Sequence, residues 1–175
     1  MNQEILLKLN ANGVNFDHIA GGGPSIIDRE AVIWALSGSS AAQFSLALLM
    51  VVGDESERSS VWAGLFMAGM ALPEYLTFKI KNNGCMDALC HLVIEEFVSS
   101  PICKHCNGTG LNADYVECKP CGGSGNKFMS IRARMKVINK NHRCWYQFEA
   151  MHEALLNILR GWDASNKRKL TARLR

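Results

Sequence analysis

The residues in this chain best suited to chemistry are its seven cysteines: Cys85, Cys90, Cys103, Cys106, Cys118, Cys121 and Cys144. Four of them form two Cys-x-x-Cys pairs. The segment 103–110 reads Cys-Lys-His-Cys-Asn-Gly-Thr-Gly, and 118–125 reads Cys-Lys-Pro-Cys-Gly-Gly-Ser-Gly, an internal repeat of CxxCxGxG. A divalent zinc ion takes four thiolates in a tetrahedron, and each CxxC turn presents two sulfurs to one ion. The glycines behind each pair allow positive φ and bring backbone amides near the thiolates. Eleven residues separate Cys106 from Cys118, enough for a short loop or hairpin that returns the second pair. The expectation is one structural Zn²⁺ held by Cys103, Cys106, Cys118 and Cys121, with His105 exposed between two ligands. Four thiolates leave no open position for a substrate. A redox CxxC would be a single reactive pair near a βαβ pattern, which is not evident here. Cys85 and Cys90, five apart on a predicted helix, face different directions and read as small buried apolar residues.

The charges around this module are uneven. Residues 1–100 hold five Lys/Arg against eleven Asp/Glu, whereas residues 101–175 hold fourteen against five. A basic half joined to an acidic half points to a polyanionic partner for the basic one. From 126 to 148 there are six basic residues and no acidic one: Lys127, Arg132, Arg134, Lys136, Lys140 and Arg143. Periodicity predicts a helix over 129–137 capped by Ser130, a turn at 139–142, and a second helix over 143–160. This is the outline of a helix-turn-helix. In that geometry the first turn of the second helix faces base edges, so His142, Arg143, Tyr146 and Gln147 are the readout candidates. Lys119, Lys127, Arg132, Arg134, Lys136 and Lys140 complete the candidate DNA contacts. Trp145 is expected to pack the turn against the rest of the protein. The end of the chain, 166–175, reads as a frayed basic tail available to phosphate or RNA.

Helices must position these groups. The spacing predicts helices over 2–12 (Ile5, Leu6 and Leu9 inward, ending at Gly13), 27–36, 40–52, 55–72, 73–82 and 85–98, with a loop at 21–25. In the 27–36 helix, Ala31, Ile33, Trp34 and Leu36 form the expected apolar side. Met50, Met67, Met70 and Met86 read as core filling, and Glu95-Glu96 as a solvated face. The predicted fold is all-α: a helical bundle with an inserted Cys₄ zinc-finger module and a C-terminal helix-turn-helix-like region. The divisions fall at 1–100 (acidic bundle), 101–127 (zinc module), 128–162 (basic helical region) and 163–175 (basic tail). The longest apolar runs, 44–52 and 61–72, are short of the ~20 residues a membrane span needs. No secretory leader is read at the start, so a cytoplasmic protein is expected. The glycines at 21–23 lack the context of a phosphate-binding loop. With no Ser/His/Asp arrangement and no paired carboxylates, a non-enzyme is expected.

Taken together, Cys103–Gly110, Glu117–Gly125, the basic helix, Trp145 and the Leu-rich helix beyond resemble the lambdoid phage Q antitermination proteins. The likeness extends over residues 40–160 and omits 1–38. It implies a protein that binds duplex DNA in a phage late promoter and engages paused host RNA polymerase with its sigma factor. Such proteins then travel with the enzyme past pauses and terminators, switching on late genes in the bacterial cytoplasm. The four cysteines match the family's zinc ligands, and Arg132, Arg134, Arg143 and Gln147 fall where its DNA contacts would lie. The acidic bundle would then face polymerase, and nascent RNA is a further candidate partner. Two other readings share parts of this pattern. One is a zinc-containing repressor or activator acting by promoter occupancy. The other is a DnaJ-like co-chaperone, although that family carries four CxxCxGxG repeats and a His-Pro-Asp signature that this chain lacks.

Overall fold

The computed structural model describes residues 29–173 except 83, 100–102, 113–114, 122–124 and 128. The helix expected at 2–12 and the loop at 21–25 lie outside the described residues. The architecture is all-α. In order, α1 spans Arg29–Ala35 and α2 spans Ala41–Ala47, which widens into a π-turn over Leu48–Val52. A 3₁₀ turn, Glu55–Glu57, leads into α3, Arg58–Met70, followed by α4, Pro73–Lys81, and α5, Met86–Ser99. Beyond the cysteine module come α6, Ile131–Val137, a 3₁₀ turn over His142–Gln147, and α7, Glu149–Arg173.

Local chemistry places these boundaries. Ser40 caps α2 reciprocally: its hydroxyl accepts from the Gln43 amide at 3.3 Å, and the Gln43 side-chain carbonyl accepts from the Ser40 amide at 3.2 Å. This capping box satisfies two amides that a helix start leaves unpaired. Pro73 opens α4, where its missing N–H costs nothing and its fixed φ suits the helix. Helices α2 and α3 cross closely because Gly64 has no side chain; a Cβ there would collide with that of Ala42.

The long helix α7 organises the core. Met151, His152, Leu155, Leu156, Leu159, Asn166 and Leu170 are buried along one stripe, and α7 packs on α1 to α5. Its apolar residues join one cluster with Leu46, Leu65, Phe78 and Leu92 from the acidic half and Met135, Trp145 and Phe148 from the basic half. The boundary at residue 100 is therefore a change of charge within a shared core. Trp145 is buried, as expected for a residue that locks the turn to the bundle. Cys85 and Cys90 are buried as well, and burial pushes the Cys90 thiol up to about 12.

Several expectations are corrected. The basic tail is not frayed, because α7 continues as helix to Arg173. Leu170 is buried with Val32, Ala35, Leu36, Ala47 and Leu48, the Asn166 amide donates to the Gln43 carbonyl at 2.7 Å, and the Lys169 ammonium reaches the Ser39 hydroxyl at 2.8 Å. The Arg173 guanidinium donates to the carbonyls of Ala35 and Ser37 at 3.3 and 3.2 Å, a favourable place for a cation at the negative end of α1. In α1 the buried face is Val32 and Ala35, continued by Leu36 just past its end, while Ile33 and Trp34 are exposed. Met67 is also exposed, on the far side of α3 from the core. Glu96 is not on a solvated face; it is buried. The helix-turn-helix outline changes too, because residues 142–147 form a 3₁₀ turn and the second helix starts only at Glu149.

Candidate metal centre and basic face

The four cysteines Cys103, Cys106, Cys118 and Cys121 are all buried, and their sulfurs lie within 4.8 Å of one another. Cys103 Sγ is 4.0 Å from Cys118 Sγ, and Cys106 Sγ is 3.7 Å from Cys121 Sγ. A tetrahedron with Zn–S bonds of about 2.3 Å has edges of about 3.8 Å, whereas a disulfide would need about 2.05 Å. The donor set and spacing therefore suit one tetrahedral, thiophilic ion. The chain, not the sulfurs alone, makes the cage. The Cys103 amide donates to the Gly125 carbonyl and the Cys118 amide to the Gly110 carbonyl, both at 2.8 Å, tying the start of each knuckle to the end of a Gly-rich tail. Asn107, Gly108, Gly110 and Gly125 all have positive φ. At Gly125 a Cβ would run into the Gly108 carbonyl, so the two repeats meet glycine against glycine.

The surroundings act oppositely on two of the cage thiols. Burial by itself would raise the Cys106 thiol, but hydrogen bonds from the backbone at Gly110 and Gly108 and from the neighbouring thiols bring it down to about 7. Cys118 moves the other way, pushed up to about 12 by burial and by the thiols around it. His105 is exposed and stands outside the cluster, as expected.

The candidate DNA contacts divide into three groups. Lys119 and Lys127 are exposed on the cysteine module. Arg132, Lys136, Lys140 and His142 line an open groove of about 500 Å³ with Met135, Asn139 and Asn141, and no carboxylate is among the described residues of its wall. The groove exists because α6 ends sharply. Asn139, at φ 57°, closes it in a left-handed cap, and the Lys140 amide donates back to the Met135 carbonyl at 2.9 Å. Asn141 then caps the 3₁₀ turn, its side chain accepting from the Arg143 amide at 3.0 Å. Arg143 and Tyr146 are exposed on that turn, and the Gln147 amide donates to the Tyr146 hydroxyl at 2.9 Å. Tyr146 and Gln147 border a second, smaller groove facing Thr77 and Lys81 of α4.

Arg134 belongs with neither groove, which corrects its reading as a DNA contact. Its guanidinium Nε donates to Glu96 Oε1 at 2.7 Å and lies 5.0 Å over the Trp145 ring. Glu96 Oε2 is 2.6 Å from His152 Nε2, and the His152 ring packs edge-on against Trp145 at 5.0 Å. Glu96, Arg134, Trp145 and His152 thus close a ring that joins α5, α6, the 3₁₀ turn and α7. For Glu96, burial raises the carboxyl, but the hydrogen bonds and charges of His152 and Arg134 together outweigh it and hold it below its ordinary value. Sequence reasoning passed over Glu96 and His152. Their signal is positional: His152 sits beside Met151 on the stripe continued by Leu155 and Leu156, and Glu96 follows Leu92 and Val93 by one turn.

Comparison with known proteins returns nothing: no protein-family model, no curated protein and no solved structure matches this chain. The arrangement of residues must carry the functional argument. No single described helix is long and apolar enough to cross a membrane.

Proposed function

We propose that the chain is a zinc-stabilised, non-enzymatic transcription antitermination factor. In this reading it binds late-promoter duplex DNA of a phage through its basic half and engages host RNA polymerase, with sigma factor still in place, through its acidic helices. The observation that carries the reading is the groove lined by Arg132, Lys136, Lys140 and His142. Phosphate oxygens need cationic and N–H donors without competing carboxylates, and this groove offers them in a concave strip. Beside it, Arg143 and Tyr146 are exposed on the 3₁₀ turn, where they could approach base edges. Arg134 acts from behind, holding α6 and its Lys136 to the bundle through Glu96.

The Zn²⁺ ion proposed for Cys103, Cys106, Cys118 and Cys121 would supply folding energy to the module, with the backbone at Gly110 and Gly108 favouring the Cys106 thiolate. Nothing in the mechanism requires a bond to be broken. Termination competes kinetically with elongation, so polymerase contacts worth about 1–3 kcal/mol would shift the outcome roughly five- to a hundredfold.

The test is terminator readthrough in a purified system. The template carries the DNA flanking the gene and a terminator, and host polymerase transcribes it with and without the zinc-loaded protein. Readthrough that survives excess competitor DNA added after initiation supports a polymerase-bound antiterminator. Altered initiation without readthrough would instead make the protein a promoter-occupancy regulator.

A further inference from the structure

The hairpin carried by the cysteine module has a tip unlike the rest of the basic half. Leu111 and Glu117 pair as an antiparallel bridge, and between them the chain turns on Asn112. The Asn112 amide donates to the Val116 carbonyl at 2.8 Å, the Val116 amide to the Asn112 side chain at 2.9 Å, and the Tyr115 amide to the Asn112 carbonyl at 3.1 Å. Below the bridge, the Thr109 hydroxyl donates to the Cys106 carbonyl at 2.7 Å, and the Cys118 amide ties back to Gly110. The hairpin is therefore anchored directly in the metal cage.

What it displays is apolar. Tyr115 is 86% exposed, Val116 57% and Leu111 43%. Turn positions usually hold Gly, Asn, Asp or Ser, and Tyr115 occupies a left-handed φ of 58° that glycine or asparagine would adopt at less cost. Charge distinguishes the tip further. Of the five acidic residues in 101–175, Asp114 and Glu117 both fall within 111–117, which contains no basic residue. A segment meant for phosphate would not concentrate carboxylates in so short a stretch of its sequence.

We infer that Leu111, Tyr115 and Val116 form a protein-docking knob, and that its receptor is an apolar pocket with a basic rim on RNA polymerase. This assignment rests on the proposed antitermination function and gives it a second contact, separate from the acidic helices. A tyrosine anchor filling a pocket, surrounded by smaller apolar contacts and a polar rim, is the usual composition of an interface hot spot. Presentation from a hairpin fixed by four thiolates lowers the ordering cost of binding.

The experiment uses the full-length, zinc-loaded chain with purified host polymerase holoenzyme and a promoter duplex. Affinities for the duplex alone and for the polymerase–DNA complex are measured for the wild type, Tyr115→Ser and Tyr115→Phe, with zinc content checked in each. The expected result is a tenfold or greater loss of affinity for the polymerase complex in Tyr115→Ser. Phe should retain binding, and duplex affinity and zinc content should be unchanged. Unchanged polymerase affinity in Tyr115→Ser overturns the inference while leaving the proposed function standing. A parallel loss of duplex affinity overturns it in favour of a nucleic-acid contact. If the wild type binds the duplex but never the polymerase complex, the proposed function falls and the docking assignment falls with it.

Discussion

Replacing Glu96 by alanine tests whether the ring of Glu96, Arg134, Trp145 and His152 holds the basic face to the bundle. The carboxylate is 2% exposed and receives two close contacts, from Arg134 at 2.7 Å and His152 at 2.6 Å; those partners are 12% and 0% exposed. Truncation removes a charge-assisted hydrogen bond on each side and leaves the guanidinium with little water to replace it. Breaking one member of a buried ion pair costs about 3–5 kcal/mol. For a chain of this length roughly 2–4 °C accompany each kcal/mol, so the melting temperature should fall by roughly 6–20 °C. The assay is chemical and thermal denaturation followed by circular dichroism on zinc-loaded protein. The pH dependence follows from the lowered carboxyl of Glu96. A carboxyl whose folded value is depressed adds stability that is fully present above its unfolded value, ordinarily 4.5, and is lost as pH falls through the lower folded value. The Glu96 contribution to the gap between wild type and Glu96→Ala should therefore be fully present above pH 4.5 and be lost in acid. The double variant Glu96→Leu/Arg134→Met should be more stable than Glu96→Ala, because it leaves no unpaired guanidinium. A Glu96→Ala protein within about 1 kcal/mol of wild type, below the range for a broken buried pair, would refute the reasoning.

Three further outcomes follow from the same geometry. Cys118→Ser should lose zinc and melt the hairpin around 103–126 while the bundle stays helical, since α6 and α7 share the bundle core; hydrogen exchange with metal analysis checks both parts. Lys136→Ala and Lys140→Ala should each lower the salt dependence of duplex binding by about one counterion without altering sequence preference; Arg134→Ala should instead destabilise the fold, as separate anisotropy and melting curves would reveal. In zinc-loaded protein at mildly alkaline pH, an alkylating reagent should modify half-buried Cys144 first and leave Cys90 untouched, because the Cys90 thiol is inaccessible and pushed up to about 12; mass spectrometry would contradict this if Cys90 reacted at the rate of Cys144.

Local information was enough for the cysteine cage and most of the helices. The CxxCxGxG repeat needs only short-range geometry, since two turns and their glycines prescribe where four sulfurs go. Caps such as Ser40 and Ser130 act within three residues, so those helix starts were also legible. Partnership across the fold was not. Arg134 sits in a basic run and looks like its neighbours in sequence, yet only the approach of α5 gives it Glu96 as a counter-charge. The basic end of α7 looks solvated until α1 and α2 bury Leu170 and Arg173 meets the carbonyls at the end of α1. The same holds for residues 142–147, where burial of Trp145 and Phe148 against the bundle accompanies a tighter 3₁₀ turn before the long helix begins. Sequence by itself determined which residues could bind metal and which segments would be helical, because those properties depend on neighbours within a turn or two. Tertiary structure alone decided which cations face solvent and which are spent on a buried carboxylate, because that depends on residues such as Glu96 and Arg134, 38 positions apart, meeting in space.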